Sequence, residues 1–255
     1  MTSWFDESPE TYDRARPTYP DSLWDELFAR LPEAPSLLEI GPGPGKATVA
    51  LLGRGATVAA CEPGPNLAAY LRDTFPTFSL AVLKATFESA NLPSGAFDGI
   101  VAATSFHWVD SSIRLAKSHT ILKAGGLLAV IDTIQVADRI DRGYFAASQP
   151  IYDRYFPGDA PPRPLPTRDV VPPALTELLE SALFASPSLH RYDWDQRYTT
   201  AEYLDLVRSY SNTAQLEPDT RHAFLADLAA FIDAGFEGHV VRPLVITLCC
   251  AKRAP

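Results

Sequence analysis

The stretch Leu37–Thr48, LLEIGPGPGKAT, joins a short apolar run to a helical pattern through Gly41, Gly43 and Gly45. Glycines in such a turn let a ligand approach the backbone closely and face the first turn of the following helix. Spacing narrows the ligand. A dinucleotide fingerprint, G-x-G-x-x-G, needs a third glycine where Lys46 stands. A phosphate P-loop fails as well, because Ala47 follows Lys46 and Ile40 occupies the place of the first glycine. A tight turn alone would also use three glycines. Against that, Glu62 ends the next predicted strand, 17 residues after Gly45, where a carboxylate can accept both hydroxyls of a ribose. Such an acid is common to nicotinamide and adenosyl sites, so the glycine spacing is what separates them.

Outward from this turn, strand and helix signals alternate. Apolar runs predict strands at Ser36–Gly41, Thr57–Glu62, Phe78–Lys84, Phe97–Ala103 and Leu127–Asp132. Helical stripes predict helices at Ser22–Leu31, with Asp21 as a possible cap, and at Ala47–Leu52, Asn66–Phe75 and Ser112–Leu122. Near-continuous apolar strands between helices indicate a parallel sheet covered on both faces, a doubly wound α/β layout. Eight prolines between Pro150 and Pro173 then predict an irregular connector or cover, since proline lacks the N–H that helices and central strands use. Beyond it come a helix at Ala174–Phe184, a strand near Leu189–Tyr198, a helix opened by the capping box Thr199/Glu202, a helix at Thr220–Ala234 closed by Gly235, and a buried strand at Pro243–Ala251.

Composition excludes several classes of function. A net charge of -9, from 31 acidic against 22 basic residues, lacks the basic field that nucleic acid demands. No segment approaches the ~20 apolar residues of a membrane-spanning helix. The N-terminus has acids where a signal peptide carries bases. Cys61, Cys249 and Cys250 show no metal-type spacing and read as reduced structural thiols. His190, His222 and His239 are too scattered for a metal site, so no metal is expected, and the expected location is cytoplasmic.

Six ordered segments carry a family resemblance: Tyr12–Pro20 (YDRARPTYP), Glu39–Gly45 (EIGPGPG), Glu62, Ala85–Glu88 (ATFE), Phe97–Asp110 (FDGIVAATSFHWVD) and Leu122–Asp132 (LKAGGLLAVID). In these the chain resembles the class I S-adenosylmethionine-dependent methyltransferases, most of all their small-molecule subgroup of trans-aconitate and quinone-biosynthesis type. The resemblance implies a Rossmann-like, seven-stranded, mostly parallel sheet whose last strand is antiparallel, with a helical cover. It implies one domain: a flap and helix over 1–35, a cofactor core over 36–132, cover insertions at 133–186 and 199–236, and final strands at 187–198 and 240–252. The implied cofactor is S-adenosyl-L-methionine. Glu39 and the Gly41, Gly43 and Gly45 backbone would frame its methionine part and ribose, Glu62 and Pro63 its ribose, and Phe87 and Glu88 its adenine, with Thr86 where the family often has an acid. Thr104 and Ser105 would lie beside the sulfonium, and Tyr12 and Arg16 would close over the carboxylate end, where Arg16 can offer a charge-assisted fork.

Methyl transfer from a cationic sulfur mainly needs an aligned nucleophile and excluded water. A base matters only for an acceptor that arrives protonated. His107, just past a strand end, is the candidate base; a histidine there can equally fix its loop. Trp108, Tyr152, Tyr155 and Tyr210 are candidates to line the substrate cover. Arg154 or Arg168 would serve a carboxylate acceptor. His119, on a predicted helix face, reads as solvated. The expected partner is a small-molecule substrate, with neither nucleic acid nor membrane; oligomeric state is not readable. Two rivals are a nicotinamide-dependent oxidoreductase and an adenosyl-cofactor-binding protein without turnover.

Overall fold

The structure, a computed structural model, describes residues 16–77, 79–158 and 164–255. Tyr12 therefore lies outside the described residues. In chain order the elements are α1 (Asp21–Phe28), β1 (Ser36–Ile40), α2 (Thr48–Gly53), β2 (Thr57–Cys61), α3 (Pro65–Thr74), β3 (Leu80–Leu83), β4 (Phe97–Ala103), α4 (Arg114–Ile121) and β5 (Leu122–Gln135). There follow α5 (Tyr144–Tyr155), α6 (Pro173–Glu180), β6 (Phe184–Thr199), α7 (Thr200–Arg208), α8 (Ser211–Ala214), α9 (Pro218–Gly235) and β7 (His239–Arg253).

The strands form one sheet in the order β3-β2-β1-β4-β5-β7-β6. Strands β1 to β5 pair in parallel, and β7 runs antiparallel to both β5 and β6. This is the doubly wound, Rossmann-like sheet that the alternation and the resemblance imply. Strand order reverses between β1 and β4, so the crevice beyond their carboxyl ends is where such a sheet takes a ligand.

Both sheet faces are covered, which is why the strand sequences are continuous apolar runs. On one face Leu38, Ile40, Ile100 and Val130 pack with Ile121 of α4 and Leu178 of α6. On the other, Leu37, Val58, Val101 and Ile131 pack with Leu23 and Leu27 of α1 and Leu51 of α2. Alternation along β7 sends Cys249 into the first cluster and Cys250 into the second. Both thiols are free, and burial pushes each up to about 12. A third cluster joins Tyr144 of α5, Leu206 of α7 and Phe224, Leu228 and Ile232 of α9 to Tyr198 and Val240. Tyr198 ends β6 and Val240 opens β7, so this helical cover stands on the carboxyl edge of the sheet. Among the described residues no helix is long and apolar enough to cross a membrane.

Several local expectations are corrected. Pro150 lies inside α5, so the first turn and a half of the proline-rich stretch is helical. The carbonyl that Pro150 leaves without a helical donor is that of Ala146, an exposed residue open to water, while the Ser148 hydroxyl (3.1 Å) and the Gln149 side-chain amide (2.7 Å) donate to the neighbouring Phe145 carbonyl. The helix at Ala174 stops at Glu180, because Ser181 turns extended and Phe184 enters β6 opposite Arg253. Asp21 is the first helical residue of α1, after an extended Pro20. Gly235 is the last helical residue of α9; Glu237 (φ 56°) and Gly238 (φ 71°) hold the left-handed positions beyond it. The Thr199/Glu202 capping box forms as expected, Glu202 receiving the Thr199 amide at 2.8 Å. His119 is half-buried, its Nε2 3.1 Å from the Ala254 carbonyl and its ring edge-on to Phe184.

Candidate functional site

Two cavities of about 340 Å³ each open at the switch point and share Gly41, Gly43 and Thr104. Each alone lies in the size range of small-ligand pockets.

The outer cavity is an apolar slot with one acid. Ile40, Leu67, Phe87, Trp108 and Val109 line it together with Glu62, Pro63, Glu88 and Ser105. Glu62 follows β2 directly and is 5% exposed. Its Oε2 accepts from the Gly43 amide (3.1 Å) and its Oε1 from the Gly64 amide (2.8 Å). Two amides thus aim the carboxylate at the cavity that it lines. Phe87 is buried and Trp108 is 69% exposed at the mouth. Glu88 accepts the Asp110 amide at 3.0 Å, and the Thr86 hydroxyl turns back to Ser89.

The glycine loop separates the cavities. Gly41 (φ 61°) and Gly43 (φ 57°) adopt left-handed backbone. A Cβ on Gly41 would lie 2.8 Å from the Ser105 Cβ. The Ser105 hydroxyl donates to the Ile40 carbonyl, tying the ends of β4 and β1 together. Gly45 lines neither cavity: a Cβ there would meet Phe75 Cε2 at 2.5 Å, so its bare backbone makes room for α3. Thr104 sits at φ 55°, strained for a β-branched residue. Its amide donates to the Ile131 carbonyl (2.7 Å), and its Oγ1 lies 3.3 Å from the Tyr19 hydroxyl.

Glu39, on β1 beneath the loop, is 1% exposed and touches neither cavity. The Thr48 hydroxyl donates to it at 2.7 Å, fixing the start of α2. Burial raises its carboxyl to about 7, with Thr48 opposing and the Glu62 charge adding to the rise. Its folded value therefore exceeds its reference value of 4.5. The native chain holds the proton between those two values, and stability falls as pH rises through that window. Glu39→Gln, which removes the ionisation and keeps an acceptor for Thr48, is expected to leave the pH 5 denaturation midpoint near wild type. At pH 8 it should gain up to about 3 kcal/mol relative to wild type. Parallel wild-type and variant denaturation profiles would refute this.

The inner cavity lies beneath the cover. Arg16, Tyr19, Lys46, Thr133, Gln135, Leu206, Tyr210, Arg242 and Leu244 line it with the loop. Thr133 and Gln135 continue the β5 face that carries Ile131 lower down. Leu244 pairs with Gln135, which brings Arg242 onto the same face. Arg16 lies 4.8 Å over the Tyr210 ring.

The structure brings together Arg16, Gly41, Gly43, Glu62, Pro63, Phe87, Glu88, Thr104, Ser105, Trp108 and Tyr210 from the expected set. It places the others elsewhere. Tyr152 packs on Phe224 within the cover, and the Tyr155 hydroxyl donates to Asp227 at 2.8 Å. His107 lines neither cavity. Its ring lies tilted at 43° against Trp108 and faces Asp132 and Arg114; desolvation depresses its pKa, Asp132 opposing and Arg114 adding to the depression. Asp132 points to the opposite face of β5 from Thr133. Arg154 pairs with Asp227, and Arg168 with Asp138, Asp195 and Asp193. Tyr19, Thr133, Gln135 and Arg242 are the site residues that sequence reasoning missed. A signal existed for two of them: polar Thr133 and Gln135 continue one face of an otherwise apolar strand.

The arrangement fits an adenosyl cofactor on two observations: the bare cradle at Gly41, and the amide-oriented Glu62 at the edge of an apolar slot. Residues 38–130 match the family described as a methyltransferase domain. The chain is 29% identical over 223 residues to an uncharacterized methyltransferase of Mycobacterium tuberculosis H37Rv, covering 87% of this chain and 83% of that one. A solved Anabaena variabilis structure, assigned as a methyltransferase from an antibiotic biosynthesis pathway, shares the fold with a TM-score of 0.61 at 16% identity, over 92% of this chain and 98% of that one. Haemonchus contortus phosphoethanolamine N-methyltransferase 2, solved with phosphomonomethylethanolamine and S-adenosylhomocysteine, shares it with a TM-score of 0.55 at 12% identity, over 98% and 58%. Fold, site and family match together define a class I S-adenosylmethionine-dependent methyltransferase. The family match spans residues 38–130, and the cofactor of the class so defined is S-adenosylmethionine.

Proposed function

We propose that the chain transfers a methyl group from S-adenosylmethionine to a small molecule held in the inner cavity. The carrying observation is that the two cavities meet at Gly41, Gly43 and Thr104. The outer cavity has the acid and apolar slot for ribose and adenine; the inner one has polar side chains for an acceptor. The cofactor supplies a methyl already activated on cationic sulfur, so the protein's task is alignment and exclusion of water. Glu62, Pro63 and Phe87 would hold the adenosyl part, and Arg16 the methionine carboxylate. Thr104, at the junction, would border the reacting atoms. The cover of α5 and α7 to α9 would exclude water. Among the described residues the inner lining holds neither carboxylate nor histidine, so this reading gives the acceptor no general base and His107 no proton-transfer step. The buried reduced thiols fit a reducing compartment, the cytoplasm.

Calorimetric titration tests the reading. S-adenosylhomocysteine is expected to bind at micromolar order, and NAD to bind weakly if at all. The reverse preference would favour an oxidoreductase. Incubation with methyl-labelled cofactor and a set of small metabolites should then label at least one acceptor; cofactor binding without any labelling would favour a protein that binds and does not turn over.

A further inference from the structure

Arg242 stands in the inner wall on β7. Its Nη1 donates to the Tyr210 hydroxyl at 2.7 Å and its Nη2 to the Gln135 Oε1. Both partners are neutral. Among the described residues no carboxylate pairs with this guanidinium, although 31 of the chain's residues are acidic. The other groups facing it are the hydroxyls of Tyr144, Tyr152, Tyr198 and Tyr203. Burial raises all four, Tyr198 to about 12, so they stay uncharged at neutral pH. Arg242 is half-buried, and a partly desolvated cation without a counter-charge favours an anion from outside.

The hydrogen-bond roles sharpen the specificity. Arginine only donates, so Gln135 must turn its oxygen toward it, which leaves the carboxamide NH₂ to donate elsewhere. Tyr210 accepts from Arg242, which leaves its own O–H to donate. Three neighbouring side chains thus offer donors around one net positive charge.

We infer that the methyl acceptor is a small carboxylate, received by the donor cluster of Arg242, Gln135 and Tyr210. The inference rests on the methyltransferase reading and adds the acceptor's chemistry to it. One carboxylate matches one unbalanced guanidinium and accepts from planar donors bidentately. A carboxylate also needs no base, as the lining requires. Arg16 is left to the cofactor's own carboxylate.

The test is calorimetric titration of the full chain, saturated with S-adenosylhomocysteine, with succinate, fumarate and benzoate and with their amides. At least one carboxylate should bind, with its amide about thirtyfold weaker or more. Arg242→Met should remove that preference by a similar factor and leave S-adenosylhomocysteine affinity within about twofold. Gln135→Glu supplies the missing counter-charge in place and should likewise reject carboxylates, which keeps the test open if the arginine variant fails to fold. Carboxylates that do not bind, bind no better than their amides, bind both variants like wild type, or are outdone by inorganic phosphate would overturn the inference. So would loss of S-adenosylhomocysteine binding in Arg242→Met, which would put the cofactor's carboxylate there. Wild type that binds no S-adenosylhomocysteine at all would instead overturn the methyltransferase reading itself.

Discussion

Glu62→Ala is expected to weaken S-adenosylhomocysteine binding by about 3–5 kcal/mol, from a hundredfold to several thousandfold. The loss has two sources. The ligand's hydroxyls lose a charged acceptor, a contact of about 1.5–3 kcal/mol. The Gly43 and Gly64 amides, which now donate to this carboxylate at 3.1 and 2.8 Å, also lose their acceptor, so the loop must reorganise before it can bind. Glu62→Gln separates the two: its oxygen can serve one amide, while its NH₂ faces the other as donor against donor. An intermediate loss is expected. Calorimetric titration of both variants decides the matter, and an unchanged affinity for the alanine variant would show that the ribose lies elsewhere.

Gly41→Ala should cost about 2–5 kcal/mol, taken from folding stability or cofactor affinity or both. At φ 61° an alanine bears about 1–2 kcal/mol of left-handed strain. Its methyl would also stand 2.8 Å from the Ser105 Cβ, and overpacking adds about 1–3 kcal/mol. The Ser105 side chain cannot step aside cheaply, because its hydroxyl holds the Ile40 carbonyl. Gly43→Ala meets left-handed strain of its own, at φ 57°. Denaturant unfolding with cofactor titration of Gly41→Ala would test the cost; wild-type stability together with wild-type affinity would show that neither the strain nor the contact with Ser105 operates.

The glycine loop and its acid were legible because they are local in sequence. A strand, a glycine turn and an acid at the end of the next strand lie within Leu37–Glu62, and parallel pairing of β1 with β2 puts Ile40 beside Cys61. The inner cavity was not legible. Gln135 and Arg242 are separated by 107 residues and meet only through the antiparallel β5–β7 register, which no local pattern encodes. Their place in the predicted cover pointed to Arg154 and Arg168, both of which acidic side chains neutralise. Gly45 shows a different limit: its place in the motif is clear from sequence, but the Phe75 ring that requires it arrives from the residue that follows α3. Pro150 was read by its missing donor, whereas α5 runs through it with the orphaned Ala146 carbonyl on the exposed side of the helix.

The strand order has a consequence for how the two halves come into being. Strands β1 to β5 follow one another in synthesis and already neighbour each other in the sheet, but β6 has β7 as its sole partner. The backbone of β6 must therefore wait, unpaired along its whole length, until His239–Arg253 leaves the ribosome and slides between it and β5. Arg242 travels on that late strand. The outer cavity can take shape on a nascent chain before the inner cavity acquires that charge.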